Sequence, residues 1–144
     1  MSEAVLILHV SFAAAWFGHK LLIPKDVRTS VRHPESAALL VTRMSRAQRL
    51  GIASGLGTLA TGLWLMHLST GLTSASVETY AALAAVFAMF VVGGAVASPA
   101  WAKIRSAIEA EDTPGAMAGV SGFNKAQSLE SLLWVFALVM MVIG

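Results

Sequence analysis

Long apolar runs alternate with polar links along this chain. Four runs stand out, 4–23, 51–68, 80–100 and 128–143. Each approaches the length a helix needs to cross a hydrocarbon core of about 30 Å. The first, AVLILHVSFAAAWFGHKLLI, carries no charge before Lys20 and is followed by Pro24, expected to end it. No basic residue precedes this run and Glu3 does, so it reads as a span and not a cleaved leader. Residues 34–50 set Leu39, Leu40, Met44 and Ala47 against Arg43, Arg46 and Arg49 at helical spacing. That is an amphipathic helix with Pro34 in its first turn, lying against anionic lipid and running into the second span.

The second run opens GIASGLGTLATG and the third ends VVGGAVASPAW, with Pro99 expected to close it. Gly51 with Gly55, and Gly93 with Gly94 and Ala97, form small faces that admit a close neighbour helix and suit a homodimer. Asn124, with Gln127 three residues on, fits an N-cap and its reciprocal partner for the last helix. Glu130 then falls about two turns in, to face headgroups or to pair with Lys20 or a first-link arginine.

Composition agrees with a membrane setting. The 144 residues suit one domain, 56% hydrophobic and only 12% charged, where soluble domains carry roughly a quarter charged residues. Lys and Arg gather in the first and third links, while the second, STGLTSASVET, has neither. The positive-inside bias puts the basic links in the cytoplasm, and both termini and the second link outside. Trp64 and Trp101, near span ends, suit the membrane interface. With no Cys, disulfides, thiolate metal sites and Fe–S clusters are excluded. The basic first link needs no nucleic acid to explain it. The expected fold class is all-α: a single-domain integral membrane four-helix bundle.

Chemistry rests on four histidines, His9, His19, His33 and His67. His9 and His19 are about 15 Å apart along one helix, too far to share a metal. His9 and His67 both fall near the outer ends of their spans, so they are the pair able to share a ligand. Two imidazoles from facing helices hold haem b in helical bundles, and bound iron relieves the cost of an imidazole in lipid. His9, Phe12, Ala13, Trp16 and Lys20 form one stripe, with Trp16 and Trp64 as neighbours for the ring. Otherwise His9 simply hydrogen-bonds a backbone carbonyl or a hydroxyl such as that of Ser11, and His67 sits in the membrane interface. Met66, His67, Met140 and Met141 approach the same face, a thioether and imidazole set suited to Cu(I). His19, Lys20, Glu130 and Met140 are the secondary site candidates.

LHVSFAAAWFGHKLLIPK resembles the opening helix of the HemJ-type protoporphyrinogen oxidase and CopD-like membrane protein superfamily, on His9, Trp16, Phe17, Gly18, Pro24 and Lys25. GLWLM at 62–66 is similar to the end of that superfamily's second helix, and FNKAQSLESLLWV from Phe123 to the Phe-Asn entry of its last. The resemblance implies a four-helix bundle in the bacterial cytoplasmic membrane, with His9 the haem-associated histidine. It also implies a redox or electron-transfer role with a membrane redox partner or quinone. The third span lacks the lysine and histidine that HemJ-type proteins carry there, so the resemblance points to a haem-binding relative more than to porphyrinogen oxidation itself. Copper handling of CopD type and a non-catalytic accessory subunit are the alternatives.

Overall fold

A computed structural model describes residues 2–69, 71 and 73–143. It is helical throughout: α1 (Ser2–Ser30), α2 (Pro34–Ser69), α3 (Val77–Val92), a π turn (Gly93–Ala97), α4 (Ser98–Glu109) and α5 (Thr113–Ile143). Helix α3, the π turn and α4 run on as one rod, so four rods pack up and down.

Three of these rods, Glu3–Ser30, Val77–Glu109 and Thr113–Ile143, are long and apolar enough to cross a membrane. Helix α2, expected as a fourth span over 51–68, is not among them. Its glycines, threonines and His67 dilute the apolar run. Leu22, Leu132 and Val142 point outward at 71%, 68% and 77% exposure, a greasy exterior suited to lipid.

Several expected boundaries move because packing overrides local stop signals. Pro24 lies inside α1, which continues to Ser30. A helical proline forfeits one hydrogen bond, but the turns beyond it bury Val27 and Val31 against Leu40, Trp101 and Phe123. Pro99 does not close the third rod either. The π turn precedes it, with the Ser98 N–H donating to the Gly93 carbonyl five residues back, and the rod runs on to Glu109. Trp101, expected at the interface, is core. Asn124 is no N-cap: α5 starts at Thr113, where the Asp112 carboxylate accepts from the Gly115 N–H at 3.0 Å. The intervening turns bury Ala116, Val120 and Phe123, so a segment expected as a loop is helix. Pro34 does open α2, which runs unbroken through the amphipathic stretch into the apolar one.

Helices α1 and α2 are antiparallel and unusually close. His9, Phe12, Trp16 and His19 of α1 lie on Gly62, Gly57, Gly55 and Gly51 of α2. A methyl group at Gly57 would stand 2.7 Å from the Phe12 ring, and one at Gly55 would stand 3.1 Å from Trp16. The small face on α2 thus receives the ring-bearing stripe of α1. Gly51 and Gly55, expected on a small face that admits a neighbour helix, meet His19 and Trp16 of this same chain.

Candidate functional site

Polar side chains enter the bundle at two levels, each beside a cavity. At the end that carries both termini, His9 Nδ1 lies 3.1 Å from the Thr58 carbonyl and 3.0 Å from Thr61 Oγ1. A carbonyl only accepts, so Nδ1 carries the proton and Nε2 keeps its lone pair. Thr61 in turn donates to the Gly57 carbonyl at 2.6 Å. The threonines therefore fix both the ring and its tautomer, as partners behind a metal-ligating histidine do. Among the described residues, nothing hydrogen-bonds Nε2.

His9 borders a cavity of about 390 Å³, shared with Leu59, Gly62, Met66, Val86 and Met141. His67 is outside it and exposed. It follows Gly62, the residue under the His9 ring, by five positions, which turns it about 140° around α2. Matching depth along two helix axes does not make two rings face each other, and the structure does not bring His67 to His9. Met66 and Met141 are brought there instead. Trp64 is 53% exposed and borders neither cavity, while Met140 packs against Ala82, Ala85 and Ala137.

The second level lies nearer the basic links. Lys20, 9% exposed, donates through Nζ to Glu130 Oε2, with Glu130 1% exposed. This is the pairing that the sequence allowed for Glu130. Lys20 Nζ also sits 5.7 Å from the centroid of the Trp16 ring, a cation–π contact. Trp16 itself stacks on Phe90 at 5.4 Å. The free Glu130 oxygen rests on the π turn, 2.8 Å from where a Gly93 Cβ would stand. His19 Nδ1 donates to the Ala15 carbonyl at 3.0 Å, leaving its Nε2 over Gly51. These groups border a cavity of about 380 Å³.

Sequence reasoning missed four participants here. Thr58 and Thr61 were not singled out, though their i, i+3 spacing puts both on the face that meets His9. Gln127, expected as the partner of an N-cap, lies in mid-helix, borders the second cavity and is buried with Oε1 unpartnered among the described residues. Gly93 read as part of a helix-docking face, whereas it seats a carboxylate. Among the described residues no three His, Cys, Asp or Glu cluster to hold a bare metal ion. Comparison with protein-family models, curated proteins and solved structures returned no match for this chain.

Proposed function

We propose that the chain is a membrane haem b protein with a redox or electron-transfer role, and that His9 is its axial ligand. The observation that carries this reading is the His9 ring: Nδ1–H is held by Thr58 and Thr61, and the Nε2 lone pair is left unengaged beside an apolar cavity. That is the donor state iron requires. Met66 and Met141 border the same space, and either thioether would serve as the second ligand in place of His67. Bound there, haem would supply one-electron chemistry. The protein's share is to orient the imidazole, exclude water with Leu59 and Val86, and provide the soft partner atom.

In this reading α2 joins the three apolar rods as a fourth span. The termini lie outside and the basic links in the cytoplasm of a bacterial cell, a topology supported by the lack of Lys and Arg in the second link. Reporter fusions at the termini and at the 70–76 link test that orientation.

Detergent-purified protein from haem-replete cells should show a Soret band that disappears in His9→Ala, survives in His67→Ala and shifts in Met66→Leu or Met141→Leu. A colourless wild type would end the proposal. The shared cavity of His9, Met66 and Met141 also favours a second reading, Cu(I) handling of CopD type. Colourless protein that binds Cu(I) stoichiometrically, and loses it in His9→Ala, would establish that reading.

A further inference from the structure

Both cavities are bordered by α2 and by the third rod, and that rod is held differently on the two sides of its π turn. We propose that α3 is a hinged wall, swinging on the π turn to let a flat ring pass from the bilayer to His9.

Four observations point to a hinge. First, the joint is built to bend. Gly93 and Gly94 carry no side chains, and the Ser98 N–H reaches back five residues to the Gly93 carbonyl. Pro99 follows with no N–H to donate, so the turn lacks a further rung. π turns and prolines are where helical rods bend. Second, the two halves are gripped unequally. Helix α4 lies along α5 and also meets α2, whereas α3 lies closely along α5 alone. Large side chains lock α4, with Trp101 and Ile104 in one core with Leu40 and Phe123. Toward its outer end α3 meets α5 through Ala82, Ala85 and Ala137, small side chains that bury little area. Third, the pivot is pinned. Glu130, held by Lys20, abuts Gly93, so the turn stays in place while α3 moves. Fourth, the loosely held half is a cavity wall. Leu83 and Val86 of α3 border the first cavity, as Leu59 and Leu63 of α2 do. A single aromatic clasp closes the gap: Phe90 stacks on Trp16, and both rings lie over Gly55 of α2.

A small swing is enough. The 16 residues of α3 make it about 24 Å long. Turning about 10° on the π turn carries its outer end about 4 Å, the van der Waals thickness of one flat ring. The identity of that ring rests on the haem reading of His9, whereas the hinge itself does not.

The test labels the full-length protein in lipid nanodiscs with nitroxides, which the absence of native Cys makes site-specific. Leu68→Cys with Val77→Cys reports α3 against α2 at the outer end. Arg46→Cys with Lys103→Cys reports α4 against α2. All four side chains are exposed and border neither cavity. Dipolar EPR should show two α2–α3 distances, separated by about 4 Å, and one α2–α4 distance. Phe90→Ala should raise the ratio of wide to narrow about fivefold, the effect of losing one aromatic pair. Deleting Gly94 removes the extra residue of the π turn and should leave only the narrow distance. That deletion should also load haemin about tenfold more slowly while reaching the same final Soret intensity. A single α2–α3 distance that Phe90→Ala leaves unchanged would overturn the hinge. Equal spread in the α2–α4 pair would overturn it by showing a bundle loose throughout. Loading that is equally fast without Gly94 would overturn the role in entry. Colourless protein with the two-distance pattern would end the haem reading alone and keep the hinge.

Discussion

The two cavities have nearly the same volume, about 390 and 380 Å³, but they accommodate polar side chains in opposite ways. At the terminal end a neutral imidazole borrows a backbone carbonyl and a hydroxyl from the facing helix, 49 and 52 residues away in sequence. At the other end a full positive charge meets a full negative charge 110 residues away. The first arrangement leaves one ring nitrogen unused and is poised to bind through it. The second is electrically closed, so any ligand must fit around a finished ion pair. A neutral group needs only the neighbour's backbone, which every helix offers. A buried charge needs one specific partner on one specific helix.

The largest test of this contrast removes one charge. Glu130→Ala strands the Lys20 ammonium and should cost about 3–5 kcal/mol, read as reduced unfolding stability in mixed micelles. Lys20→Met combined with Glu130→Met should recover most of that loss, since a buried pair is often replaceable by apolar side chains. Failure of the double variant to recover would mean that the pair does more than satisfy itself.

A smaller effect is expected where the helices touch. Gly55→Leu would push against both Trp16 and Phe90, overpacking that should cost about 1–3 kcal/mol in the same assay. Gly122→Leu, whose Cβ meets no atom within 4 Å, serves as the control and should be near neutral. Next comes Thr61→Val, which removes one of the two acceptors of His9 for about 0.5–1.5 kcal/mol. On the haem reading it should also move the reduction potential, a change that a purely packing role would not produce. Smallest of all is the Asp26–Arg43 pair, a forked contact at 2.9 and 3.1 Å with both partners well exposed. Arg43→Ala should change stability by no more than about 1 kcal/mol, less in high salt. Parity between this pair and Lys20–Glu130 would break the comparison between surface and buried charge.

Which of these features can be read before folding follows a simple division. The apolar runs, the helix start at Pro34, and the stripe of His9, Phe12, Trp16 and Lys20 are all local properties. They depend on spacing along one stretch of chain, and the structure keeps the Pro34 start, the α1 stripe and three of the four runs as helices long and apolar enough to span. Lys20 and Glu130 were readable as candidates for each other, because a charge in an apolar run has few acceptable fates. The stop signals at Pro24 and Pro99 and the cap at Asn124 were readable too, and they misled. Each was a local preference of modest energy, outweighed by burial of residues such as Val27, Ile104 and Phe123.

Sequence by itself determined that this chain is helical, that its runs suit a lipid exterior and that its few interior polar groups must find partners. Period, length and desolvation cost are properties of a segment and its solvent, so they need no knowledge of neighbours. Only the tertiary structure decided who the partners are. It turned His67 away, set Met66 and Met141 beside His9, laid the rings of α1 on the glycines of α2 and seated Glu130 on the π turn. Depth along a helix can be counted from its first residue. The direction a side chain faces across to another helix has meaning only once the rotation of that second helix is set, and packing sets it.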